Sequence, residues 1–125
     1  MRWLPILLGL LATALAPPAA AEPAVARAQF TSAVVDREPV DALDEVSAST
    51  GRVRFFTELQ DLAGREVVHR WEYGGQVMAE VVIPVGADRW RAWSSKRLLP
   101  AWAGVWQVSV VVDGAVLGTW TLAVD

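Results

Sequence analysis

The chain contains no cysteine, a single histidine, a single tyrosine and, at position 96, its one lysine. Each shortage closes a class of function. Without Cys there is no disulfide staple, no thiolate metal site and no lipid-bearing N-terminal cysteine, so the fold must stand on its apolar core. One His and no spaced carboxylate cluster leave zinc and other transition metals without a ligand set. The acids between residues 36 and 45 lack the alternating ligands and the Gly of a calcium loop. Gly74-Gly75 and Gly86 fall between strand-like runs rather than opening a helix, so no phosphate cradle is present and no cofactor is implied. Eleven basic residues face fourteen acidic ones, a net charge of −3. Nucleic-acid binding needs a basic face to neutralise phosphates, and this balance argues against it.

Long apolar runs are also missing, with one exception. Arg2 precedes thirteen mostly aliphatic residues, Leu4 to Ala16, followed by Pro17-Pro18 and Ala19-Ala20-Ala21. A positive start, a short apolar centre and small residues at the end have the form of a secretory signal, with cleavage expected after Ala21. Thirteen helical residues span about 20 Å, too little for a hydrocarbon core of roughly 30 Å. The sequence therefore predicts a signal peptide at 1–21, a flexible lead at 22–26 and one domain at 27–125. That domain is placed in the periplasm or outside the cell and does not span a membrane. Its size suits one domain.

What is abundant is β-forming residues. The hydrophobic fraction is 54% and the chain holds seven Trp; beyond residue 21 there are nineteen Val and one Ile. Glycines at 51, 64, 74, 75, 86, 104 and 114 divide the chain into short runs, the pattern of a sandwich or barrel. Within the runs, polarity alternates with a period of two, as a half-buried strand requires. Val53, Phe55, Thr57 and Leu59 oppose Arg52, Arg54 and Glu58. Val67, His69, Trp71 and Tyr73 oppose Glu66, Arg70 and Glu72. Val77, Ala79, Val81, Ile83 and Val85 oppose Gln76, Met78 and Glu80. Trp106, Val108, Val110 and Val112 run into Asp113-Gly114, a strong hairpin signal, and Val116–Val124 returns. With Gln29–Val35 and Trp90–Trp93, the count is about seven strands, the size of an immunoglobulin-like antiparallel β-sandwich; a small barrel is the alternative. Residues 36–50 read as a solvated crossover, with room for one helical turn near Val40–Val46.

Arg54-Phe55-Phe56-Thr57-Glu58-Leu59, His69-Arg70-Trp71-Glu72-Tyr73, Trp90-Arg91 with Ser94-Ser95-Lys96, and Leu98-Leu99-Pro100 before Gly104-Val105-Trp106 occur in this order across residues 27–124. As a set they resemble a bacterial family known as domain of unknown function 2914. The resemblance implies a β-sandwich-type fold and an extracytoplasmic setting. It supplies no activity and no catalytic or binding residues.

Candidate sites follow from parity. His69 points inward, as do Thr57 and Ser94, so the three form either a buried structural polar group or a Ser–His hydrolytic pair. The buried group is favoured, because Glu58 and Glu72 face away from His69 and no oxyanion hole is marked. Arg52, Arg54, Arg70, Arg89 and Arg91 point outward among Glu58, Glu66, Glu72 and Glu80, which reads as cross-strand charge pairing or as an Arg-rich docking face. Trp71, Trp90, Trp106 and Trp120 fit the core. Trp93 takes the outward parity and Trp102 lies in a loop. The favoured reading is structural, with Trp93 folded over the sandwich edge and Trp102 plugging one end, and the alternative is that they anchor a partner. The candidate binding surface is therefore Trp93, Arg91, Lys96, Arg70 and Trp102, since Trp and Arg dominate binding hot spots. A non-catalytic module is expected, whose partner is an unidentified envelope protein or, in the alternative, a carbohydrate or peptidoglycan stacked on Trp93 or Trp102.

Overall fold

A computed structural model describes residues 22–125; the expected signal peptide lies outside the described residues. Seven strands of eight residues or more build the fold: β1 (Ala24–Thr31), β5 (Arg52–Gln60), β6 (Glu66–Tyr73), β7 (Gln76–Pro84), β8 (Arg89–Arg97), β9 (Gly104–Val112) and β10 (Ala115–Val124). Three two-residue strands, β2 (Val34–Val35), β3 (Glu38–Pro39) and β4 (Glu45–Val46), occupy the crossover between β1 and β5. One sheet has the order β1-β5-β8 and the other β4-β10-β9-β6-β7, while β2 and β3 form a separate hairpin. All pairings are antiparallel except β4 with β10. This is the two-sheet immunoglobulin-like sandwich that the alternation predicts.

The inward parities meet between the sheets. Phe55, Leu59, Val67, Trp71, Trp106, Val108 and Val110 are wholly buried. Phe55 is the hub, with ring centroids 5.0 Å from Phe30, 5.1 Å from His69, 5.5 Å from Trp120 and 6.4 Å from Trp71. Aromatic residues supply large apolar area per side chain, which lets a disulfide-free domain of this size close a core. Asp113 (φ 49°) and Gly114 (φ 79°) are both left-handed, and Val112 pairs with Ala115, so the final hairpin closes as a two-residue turn of the I′ kind.

Several boundaries differ from expectation. The first strand begins at Ala24, inside the span read as a flexible lead, and ends at Thr31 rather than Val35. A second hairpin begins at Val34 instead. Its turn, Asp36-Arg37, has positive φ at both residues (51° and 63°), a role usually given to Gly or Asn. The segment then switches sheets: Leu43 bridges to Phe30 of the first sheet, and β4 pairs with β10 of the second. Residues 40–46 therefore form no helical turn; the one helical turn here is a 3-10 turn at Ala48–Thr50. In β7, an irregularity opposite Trp71 and Glu72 reverses the parity. Val77 is exposed, while Met78 packs on the core.

Candidate functional site

The polar group in the core is built from three strands. Thr57 on β5, His69 on β6 and Ser94 on β8 all take the inward parity, and each is at most 5% exposed. Their proton positions follow from the groups at the two ends of the chain of bonds. Trp71 Nε1 only donates and gives its hydrogen to Ser94 Oγ at 3.0 Å. The carbonyl of Ala92 only accepts and takes the Thr57 hydroxyl hydrogen at 2.7 Å. Thr57 Oγ1 then accepts from His69 Nε2–H at 3.1 Å, and Ser94 Oγ–H donates to His69 Nδ1 at 2.7 Å. Every partner is satisfied with imidazole neutral. Burial pushes the His69 pKa down to about 4. The Ser94–His69 bond has the spacing of a nucleophile and its base, yet both are sealed and Ser94 Oγ has no path to substrate. Chemically this is a structural lock between the sheets.

The five residues of the expected binding surface do not share a face. Arg70 lies on the outer face of the five-stranded sheet and pairs with Glu80 at 3.2 Å. Lys96 takes the inward parity of β8 and sits at one end of the sandwich, its Nζ 4.9 Å from the centre of the Trp102 ring and 5.9 Å from that of Trp106. Trp102 is half-buried against the core, and its carbonyl accepts the Trp106 indole hydrogen at 2.9 Å. Trp102 and Lys96 thus cap the end of the core. The expectation of one Trp93, Arg91 and Lys96 edge is corrected by a single step of parity, since residues 91 and 93 face outward and residue 96 does not.

Trp93 and Arg91 do remain together, on the outer face of the three-stranded sheet. Trp93 is 41% exposed and stacks on Phe56, with ring centres 6.5 Å apart and planes 19° from parallel. Phe56 points outward yet is fully buried, with the Arg27 guanidinium carbon 5.1 Å from its ring centre. Beside this pair, Glu58 holds a fan of guanidinium groups. Arg27 Nε donates to it at 3.2 Å, with Arg91 Nε at 3.8 Å and Arg89 Nε at 3.9 Å. Glu38, carried over the sheet by the β2–β3 hairpin, pairs with Arg27 at 3.1 Å and Arg91 at 2.9 Å. The Arg27 guanidinium holds the Glu38 carboxyl below its ordinary range.

The hairpin itself is pinned by Asp41. Its carboxylate accepts from the Ser32 hydroxyl at 2.5 Å, the Ser32 backbone N–H at 2.7 Å and Thr31 Oγ1 at 2.7 Å. Those bonds, Ser32's foremost, lower the Asp41 pKa. With the hairpin in place, Arg37 projects from its tip, and its guanidinium carbon stands 5.9 Å from the centre of the Trp90 ring. Arg37, Arg89 and Arg91 line a surface recess of about 180 Å³. Sequence parity alone misses Arg37 and Glu38, because their place depends on where a crossover folds rather than on a strand's own alternation. The signal was Val34-Val35 and Glu38-Pro39 separated by two residues, without the Gly or Asn that advertises such a turn. Among the described residues, no group of three His, Asp or Glu side chains is arranged to hold a metal ion, and no helix is long and apolar enough to cross a membrane.

Comparison with known proteins places the chain as follows. Residues 64–123 match the profile of a family described as "Protein of unknown function (DUF2914)". The match is narrower than the span of residues 27–124 over which the motifs were read. No curated protein matches. Among solved structures, the chain is similar to an immunoglobulin-like protein from Pseudomonas aeruginosa, at 17% identity and a TM-score of 0.61, covering 86% of this chain and 100% of that one. It is also similar to part of the alkylpurine DNA glycosylase AlkC from Pseudomonas fluorescens, solved bound to DNA containing an abasic site analog. There the identity is 16% and the TM-score 0.54, covering 86% of this chain and 31% of that one. At such identities the likeness concerns the fold alone.

Proposed function

We propose that this chain, a member of the DUF2914 family with an immunoglobulin-like fold, is a non-catalytic binding module of the cell envelope. In this proposal residues 1–21 export it, and a protein partner docks on the outer face of the three-stranded sheet. The observation that carries the proposal is Trp93: a large aromatic ring, 41% exposed and stacked on Phe56, which also carries the Arg27 guanidinium, with Arg91 two residues away on the same outward face of β8. A pre-stacked Trp loses little freedom on binding, and Trp with Arg forms the usual energetic centre of a protein interface. The sealed His69 site supports the absence of catalysis, since its one nucleophile–base pair has no access for substrate.

A glycan partner is the second reading, because the exposed face of a rigid Trp also suits a sugar ring. Trp102 supports it less, being half-buried under Lys96. The two readings separate by titration. Envelope glycans at millimolar concentration are expected to leave the tryptophan fluorescence unchanged, whereas a saturable change abolished by Trp93→Ala establishes the glycan reading instead.

A further inference from the structure

Arg37, Arg89 and Arg91 converge on the recess from three different places: a hairpin tip and two outward positions of β8. The arginines around it outnumber the carboxylates that pair with them, although Asp36 and Asp88 are the chain neighbours of Arg37 and Arg89. Arg27, Arg37, Arg89 and Arg91 bring four positive charges, against the two carboxylates Glu38 and Glu58 that pair with them. Arg37 makes no ion pair among the described residues, and Arg89 has only Glu58 at 3.9 Å while 75% of its side chain is exposed. Glu58 is nearly buried and lies toward the Nε side of Arg89 and Arg91, which leaves terminal N–H groups of Arg89 for another acceptor. Arg37 is held over Trp90 by a turn with fixed left-handed backbone.

We propose that this recess binds a terminal phosphoryl group, as free phosphate or as a phosphomonoester on a larger molecule. A recess of about 180 Å³, open to solvent, admits such a group. Guanidinium forks match phosphate oxygens bidentately. Arg37 from the hairpin tip and Arg89 from β8 offer guanidinium edges with no acceptor within hydrogen-bond distance among the described residues, while Arg91, held by Glu38 at 2.9 Å, adds charge beside them. Two forks from different elements suit a tetrahedral group with three free oxygens better than a planar carboxylate, which one fork saturates. A phosphomonoester near neutral pH carries close to two negative charges, which matches Arg37 and Arg89, the two lining guanidiniums with no described carboxylate within hydrogen-bond distance. The site shares Arg91 with the Trp93 face, and Arg37 and Arg89 are the lining residues that the docking reading does not use.

The test uses ¹H–¹⁵N spectra of the arginine Nε–H groups of residues 22–125, titrated with inorganic phosphate, with glycerol phosphate and with acetate at constant ionic strength. Phosphate is expected to shift the Arg37, Arg89 and Arg91 resonances saturably, with a dissociation constant of about 1 mM or tighter. Tighter binding of glycerol phosphate identifies an esterified ligand, and equal binding identifies the phosphoryl group alone; both support the site. The Arg37→Asn, Arg89→Gln variant keeps a residue that tolerates the left-handed turn, and it is expected to bind phosphate at least about tenfold more weakly at unchanged melting temperature. Shifts that remain linear to about 20 mM phosphate, acetate binding as tightly as phosphate, or an affinity unchanged in the double variant would each overturn the proposal. Phosphate binding that survives Trp93→Ala separates this site from the docking reading.

Discussion

His69 carries the largest electrostatic consequence of any single residue in the domain. Its neutral imidazole is matched to one hydroxyl that accepts and one that donates, and protonation would leave the Ser94 hydrogen without an acceptor in a sealed core. The folded pKa, about 4, lies below the ordinary value of 6.5. The unfolded chain therefore takes up the proton first, so stability is full above pH 6.5 and falls as pH drops toward 4. The whole loss is about 3 kcal/mol. Denaturant unfolding between pH 7 and pH 5 is expected to show this slope, and His69→Gln, though less stable at pH 7, is expected to lack it. Ser94→Ala orphans both His69 Nδ1 and the Trp71 indole N–H; it is expected to cost roughly 2–4 kcal/mol by the same measurement. How much of this was legible depends on the strand. Parity alone brought Thr57, His69 and Ser94 to one interior, because each strand there is regular. The order of proton donation was not legible, since it is set by Trp71 and Ala92, which no spacing rule connects to them.

Among the elements, the last hairpin and the first crossover mark the two extremes of what the sequence reveals. Asp113-Gly114 between two valine-rich runs is a local signal, and the turn forms where those residues stand. The crossover is built from two-residue strands, too short for alternation to register, and is pinned by Asp41 through bonds that close only when residues 31 and 41 meet. Asp41→Ala is expected to destabilise the domain by about 1–3 kcal/mol and to release the hairpin, seen as faster amide exchange at residues 34–38. The last strand, β10, has a constraint of its own. A Cβ at Gly118 would lie 2.5 Å from the Trp120 ring, beside the irregularity between Val116 and Gly118. Gly118→Ala is thus expected to cost about 1–3 kcal/mol through displacement of Trp120 from Phe55, visible as a lower melting temperature. Parity also fails for Val77 and Met78, for the related reason that a bulge shifts the alternation without leaving a mark in the sequence.

For the whole molecule, two sheets enclose one aromatic core and leave their outer faces chemically different. The five-stranded sheet presents Arg70 paired to Glu80 and scattered exposed valines, Val82, Val105 and Val116 among them. The three-stranded sheet presents Trp93 stacked on Phe56 together with Arg27, Arg89 and Arg91. Export is a whole-molecule proposal, resting on Arg2 and the apolar stretch to Ala16. Protein recovered from the source cells is expected to begin at Glu22 by N-terminal mass spectrometry, and a retained Met1 on the mature pool would contradict it. On the proposed function, the Trp93 face holds a protein partner. This is tested most directly by cross-linking residues 22–125 to the envelope fraction, in parallel with the Trp93→Ala, Arg91→Ala variant. A discrete protein enriched on the wild type and lost on an equally folded variant is the expected result; equal recovery on both would contradict the account.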